Sequence, residues 1–253
     1  MTKAIDCVLI VGGLYHDIDF ARAELLKLLG EHERIRTRVF EDHASIPSLD
    51  AAAMLVTYTC NVIPDAPQIE ALEQFLARGG RWLALHGTNS ALELKPGAPV
   101  RCPELPRAFR EMLGAQFMAH PPIGRYKVSP VSDDPLIAGI GPFHVEDEHY
   151  LQAYEPGNIP LLKTKFAGRT EIFETQDWPE AEHLVMWRRP RGPGEVLYLT
   201  LGHARGRYDM RPLQDFYPLV ERGAWQLPVF YELLRRSIRW AAEPGQAPSR
   251  SPR

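Results

Sequence analysis

The feature that most constrains this chain is an alternation near its start, where short strand-like runs are separated by segments of helical pattern. "AIDCVLIVGG" ends in Gly12-Gly13, "IRTRVF" alternates along Ile35, Thr37 and Val39, "AAMLVTYT" follows, and "RWLALH" ends at His86. Short runs that are apolar on both sides read as strands covered on both faces. Between the first two, Asp19 to Leu29 sets Phe20, Ala23, Leu25-Leu26 and Leu28-Leu29 at helical spacing, and Gly30 stops it. Between the last two, Asp65 to Ala77 opens on Asp and Pro and closes on Gly79-Gly80. Strand, helix, strand in this order predicts an α/β fold with a mostly parallel sheet.

The middle is less regular and rich in proline. Leu105 to Leu113 reads as a short helix, and "YKVSPV", "IPLLKTKF" and "HLVMWRR" read as strands, with antiparallel pairing open to them. "EVLYLTLGH", Glu195 to His203, is the last strong strand, and a helix over about Trp225 to Trp240 closes the domain. We see no repeat and no linker, so residues 1–242 are expected to form a single domain. "EPGQAPSRSPR", residues 243–253, has the composition of a disordered tail. The apolar stretch Glu221 to Leu234 suits either an interface in a homo-oligomer or packing on the sheet.

Composition narrows the function classes. The 253 residues carry a formal net charge of −3 with no basic stripe, which disfavours nucleic acid as a partner. The basic piece Trp187 to Gly192 reads as a solvated loop. No apolar run approaches the roughly 20 residues of a membrane span, so no membrane partner is expected. Three cysteines without motif spacing argue against a disulfide framework and favour a reducing, cytoplasmic setting, with no signal peptide visible. "GGLYHD" lacks the spacing of a dinucleotide loop, and no phosphate-binding lysine follows, so no nucleotide cofactor is expected.

The histidines carry the chemistry. In a parallel sheet the carboxyl ends of all strands lie on one edge, and ligands bind outside it. His16, His86 and His203 each follow an expected strand end, and His120 follows another short apolar run. Neutral imidazole is a common zinc ligand, so His86, His120 and His203 form a candidate site for zinc or another divalent metal. His32, His43, His144 and His183 have no such placement and read as surface or structural residues. In "FHVEDEHY" the paired acids Asp147 and Glu148 read either as a general acid/base near a pocket or as an exposed acidic turn. His86 also occupies the exposed position of a strand-turn elbow, where many α/β enzymes present a nucleophile.

Taken in order, "VGG-YHD", "LHG", "LGA-F-AHP" (Leu113 to Pro121), "EDEHY", "YLTLGH" and "IRWA" (Ile238 to Ala241) make the chain resemble the ThuA, trehalose-utilisation, family over roughly residues 5 to 241. The resemblance implies a three-layer, flavodoxin-like fold related to the class I glutamine amidotransferases. Those relatives have a cysteine at the elbow and a His-x-Glu pair after a late strand. Here the elbow holds His86, and Arg205 stands where the acid would be, which removes both the thiolate nucleophile and the acid that orients the base. Glutamine hydrolysis is therefore not expected. The family's association with sugars points to a carbohydrate such as trehalose or a 3-keto disaccharide. On that basis Glu148, Asp147 and His203 are the expected catalytic residues, and Tyr15, His16, Asn89 and Tyr150 the expected substrate-binding ones. The expected reaction is a metal-assisted hydrolysis or isomerisation of a sugar derivative. Two rivals stand beside it: a non-catalytic sugar-binding protein, and a hydrolase using Cys60.

Overall fold

The computed structural model describes residues 4–46, 48–95 and 97–243. In chain order they form β1 (Ile5–Gly13), α1 (Ile18–Gly30), β2 (Ile35–Phe40), β3 (Met54–Cys60), α2 (Ala66–Ala77), β4 (Arg81–Leu85), α3 (Arg107–Leu113), β5 (Ala115–Ala119), β6 (Gly124–Pro130), β7 (Phe143–Asp147), β8 (Leu151–Tyr154), β9 (Ile159–Arg169), β10 (Asp177–Arg191), β11 (Gly194–Leu199) and α4 (Pro228–Ala242), with short 3-10 turns between some of them. Nine strands make one sheet in the order β2-β1-β3-β4-β11-β10-β9-β6-β7, and β5 and β8 make a separate antiparallel pair. From β2 to β11 the neighbours are parallel; from β11 to β7 they are antiparallel.

Side-chain alternation builds the three layers. On one face Cys7, Leu9, Val11, Val56 and Leu197 pack against α1 and α4; on the other Val8, Ile10, Leu55 and Val196 pack against α2 and α3. Successive residues of a strand point to opposite faces, so a strand covered twice must be apolar throughout. α2 starts where the sequence marks it: the Asp65 side chain accepts from the Gln68 amide, and the Gln68 side chain returns a bond to the Asp65 amide. α4 buries Phe230, Leu233, Leu234, Ile238 and Ala241, a single helical face. Trp225, Phe230, Leu233 and Leu234 belong to the core, so the apolarity of residues 221–234 is spent on the sheet.

Several expectations are corrected. The basic piece from Trp187 onward is no solvated loop: it continues β10, with Trp187 fully buried. Arg188 there pairs with Glu195 and Asp134, and Arg189 donates to the carbonyls of Glu111 and Pro156. β11 ends at Leu199, so His203 lies in the irregular chain beyond it. "FHVED" is a strand whose last residue is buried, not an exposed turn. Of the histidines read as surface or structural, His43 and His183 are buried, which leaves the structural reading for these two. Of the expected tail, residues 244–253 lie outside the described residues. Among those described, no helix is long and apolar enough to cross a membrane.

Candidate metal and sugar site

β4 delivers its histidine through a strained corner. His86 has φ +46°, in the left-handed region that side chains rarely occupy, and opens a 3-10 turn running to Asn89. A Cβ at position 87 would lie 2.5 Å from the Thr59 carbonyl oxygen, so the corner requires Gly87. Tyr198 braces it: its hydroxyl donates to the His86 carbonyl at 2.6 Å and accepts from the Asn89 amide at 3.0 Å. His16 follows β1 through a second left-handed residue, Tyr15, at φ +68°. The elbow read from "LALHG" is thus present, but the position its histidine holds is fully buried rather than exposed.

Four chain segments converge beyond the strand ends. One donor atom from each of His16, His86, Glu148 and His203 lies within 4.8 Å of every other, and all four residues are buried. The outer nitrogen of each ring is engaged by an oxygen. His16 Nδ1 donates to the Leu14 carbonyl at 3.1 Å, His86 Nδ1 to the Thr200 carbonyl at 2.7 Å, and His203 Nε2 to Glu221 at 2.8 Å. A carbonyl or carboxylate oxygen accepts, so these contacts place the proton on the outer nitrogen and turn the inner one toward the cluster. Burial lowers the His16 imidazole to about 3. Its Nε2 is therefore an unprotonated lone pair, 2.9 Å from Nε2 of His86. Two inward lone pairs this close repel, and a cation held by both nitrogens would relieve that repulsion. Outer nitrogens held by oxygen acceptors are the usual support of metal-binding histidines.

The charges around this centre are ordered. Burial alone would raise the Glu148 carboxyl, but His203, His120 and His16 hold it well below the ordinary carboxylate range. Burial opposes charge on His203, yet the neighbouring Glu148 charge and the bonds to Glu148 and Glu221 raise it to about 9. His203 Nδ1 is 3.1 Å from Glu148 Oε1, and a cation held by both would displace the proton that this raised imidazole carries. Arg205 bridges the two acids, at 3.2 Å from Glu148 and 2.9 Å from Glu221.

A cavity of about 650 Å³ opens onto the cluster, lined by Tyr15, His16, His120, Glu148, Tyr150 and Arg205 among others. His120 stands 3.6 Å from Glu148, outside the group of four, and donates from Nδ1 to the Pro121 carbonyl at 2.7 Å. Tyr150 Oη lies 3.2 Å from His86 Nε2. Two expected site residues lie behind the cavity. Asp147 is fully buried and accepts from the backbone amides of Glu148, Gly202, His203 and Ala224 at 2.7–3.2 Å. Asn89 is spent on the Ala115 carbonyl and Gln152. Cys60 reaches the cavity wall, but burial, and then the Glu148 charge, push its thiol up, which opposes the thiolate a nucleophile needs.

Glu221 escapes the sequence reading. The His-x-Glu acid is absent, as Arg205 indicates, but an orienting acid is present all the same. It arrives from the loop before the 3-10 turn Gly223–Gln226, where Glu221 accepts from His203, Arg205 and Tyr217. A lone "VERGAW" gives no spacing signal for this role.

The comparisons agree with the geometry at the level of fold. The family model for ThuA, described as trehalose utilisation, matches residues 7–241. A ThuA-like protein from Parabacteroides merdae ATCC 43184 superposes with a TM-score of 0.61 at 16% identity, over 97% of this chain and 93% of that one. One from Bacteroides uniformis ATCC 8492 gives 0.65 at 15%, over 95% and 93%. A β-galactosidase from Rahnella sp. R3 gives 0.53 at 12%, over 95% of this chain but 31% of that one. At such identities the likeness is one of fold. No curated protein matches the chain.

Proposed function

Since the chain belongs to the ThuA family, we propose that it is a metal-dependent enzyme acting on a sugar derivative, with His16, His86, Glu148 and His203 holding the cation. The observation that carries this reading is the pair of Nε2 atoms 2.9 Å apart with their outer nitrogens engaged by carbonyls. Imidazole and carboxylate donors in a compact group of four suit zinc first among the divalent metals. When bound, the cation supplies Lewis acidity toward a substrate oxygen.

The chain's own groups do the rest. Burial lowers the His120 imidazole, so at neutral pH its Nε2 is an unprotonated base on the cavity wall. In a hydrolysis it takes the proton of the attacking water; in an isomerisation it takes the proton next to a carbonyl. Either way it returns that proton to the product. Tyr15, Tyr150 and Arg205 line the same cavity and present hydroxyl and guanidinium partners to sugar oxygens. Asp147 holds the backbone at Glu148, Gly202 and His203 so that both side chains stay in place.

Metal analysis of protein purified under metal-replete conditions, followed by turnover of trehalose and 3-keto disaccharides with and without chelator, tests the reading. One equivalent of metal, lost in His86→Ala, together with chelator-sensitive turnover, is the expected outcome. No stoichiometric metal in the wild type overturns the site. Tight sugar binding without turnover and indifferent to chelator assigns the protein to the non-catalytic sugar binders.

A further inference from the structure

The cavity is two-natured. Its charged groups, His16, His120, Glu148, Arg205 and Glu221, are those already placed at or beside the cluster. One wall above them is aromatic. Phe117 packs on Tyr150 with ring centroids 4.5 Å apart, and Phe173 packs on both Phe117 and His120, at 5.7 and 5.1 Å. These rings are buried and inclined to one another by 56–71°, so they form a fixed aromatic wall against which an apolar face can pack.

The mouth is different again. Ile172, in the loop between β9 and β10, is 59% exposed, and Leu219 and Val220, in the loop before the 3-10 turn Gly223–Gln226, are 58% and 49% exposed. All three line the same cavity. Ile172 and Leu219, with Tyr208, are the most exposed large apolar side chains among the described residues. Two segments far apart in sequence thus bring exposed aliphatic groups to one opening, where a wholly hydroxylated ligand gives them nothing to bury. Of the polar side chains near the opening, Arg222 is paired with Asp17 at 2.9 Å, and Glu146 adds negative charge. A scattered exposed leucine needs no explanation; several around a polar-floored pocket mark a ligand surface.

We propose that the substrate is a glycoside, or its oxidised form, whose sugar sits over the His/Glu floor and whose uncharged apolar aglycone lies against Ile172, Leu219 and Val220. This assignment rests on the metal-dependent sugar site proposed above and names its substrate class. It places an aryl or alicyclic glycoside ahead of a disaccharide made of two hydroxylated rings.

Calorimetry on the metal-loaded protein tests it, with phenyl β-glucoside and its 3-keto derivative as probes against trehalose and 3-keto-trehalose. Metal content is read separately on the same samples. The expected result is binding at least about tenfold tighter for the phenyl member of each pair, from burial of the ring. In Ile172→Asn/Leu219→Asn that advantage falls to about threefold or less while the metal remains at one equivalent. Equal binding of the two members, or an advantage that survives the double variant, overturns the aglycone assignment and leaves the metal site standing. Metal bound with no affinity for any of the four probes overturns the sugar reading and this one together. Absence of metal overturns the site first, and the assignment falls with it.

Discussion

At the scale of single residues, the site is a problem in directing lone pairs. His86 reaches it from a left-handed corner that costs about 1–3 kcal/mol and persists because Tyr198 and Gly87 leave no relaxed alternative. Glu221 does the corresponding work for His203, accepting a hydrogen bond from its Nε2–H so that Nδ1 faces inward. Glu221→Gln is therefore expected to weaken metal binding about tenfold, the lower end for loss of a group that orients a ligand. Competition against a chromophoric chelator reads this, and unchanged affinity in a folded variant would make Glu221 a bystander. The imidazoles were legible in the sequence because strand ends in a parallel sheet share an edge, and His16, His86 and His203 all follow one. Glu221 was not, because an irregular loop brings it to His203 and no periodic pattern runs through that loop. Asn89 and Asp147 have the residue types of a site but face backbone amides and carbonyls, and only side-chain direction, which a sequence does not carry, tells the two cases apart.

At the scale of elements, β7 and β11 must be brought into contact although several strands stand between them in the sheet. Asp147, the last residue of β7, makes that join through its four backbone amides. Gly223, at φ +42°, allows the approach, since a Cβ there would lie 2.7 Å from Asp147 Oδ2. Asp147→Asn turns an amide NH2 toward donors that had an acceptor. It is expected to cost about 3 kcal/mol, against about 1 kcal/mol for removing the α2 cap in Asp65→Ala. Chemical denaturation of the two variants side by side checks the ratio, and equal losses would show that the join is not special. α2 could be located from its own residues, because capping box and proline are local signals. β5, β7 and β8 went unread because each is short, and β5 and β8 take their pairing from distant chain.

At the scale of the whole molecule, the parallel half followed from its doubly covered strands, and the antiparallel half did not follow with the same force. β6, β9 and β10 were visible as strands, but their direction depends on connections through proline-rich chain with no helix to force a crossover. Burial of histidine away from the site also has a global consequence. His43 packs edge-on against Phe109 with Nε2 unpartnered, and burial lowers it to about 4. An unfolded chain binds this proton near 6.5, so stability contributed by His43 is intact above 6.5 and is lost as pH falls from there through 4. The full linkage is of the order of 3 kcal/mol. Denaturation at pH 7 and pH 4.5 is expected to show a drop that His43→Gln reduces, and an identical drop in both proteins would assign it elsewhere.

The join at Asp147 also divides the molecule into a part that is hard to change and a part that is easy. The imidazoles of His16 and His86 are anchored to central strands, where an altered backbone disturbs two packed layers at once. The apolar mouth, Ile172, Leu219 and Val220, hangs on exposed stretches of loop. Ligand preference can therefore drift, or be redesigned, by exchanging those loops while the ring-bearing corner stays as it is. A lineage that keeps "LHG", Arg205, Glu221 and Gly223 and varies residues 207–220 would be changing its diet without rebuilding its kitchen.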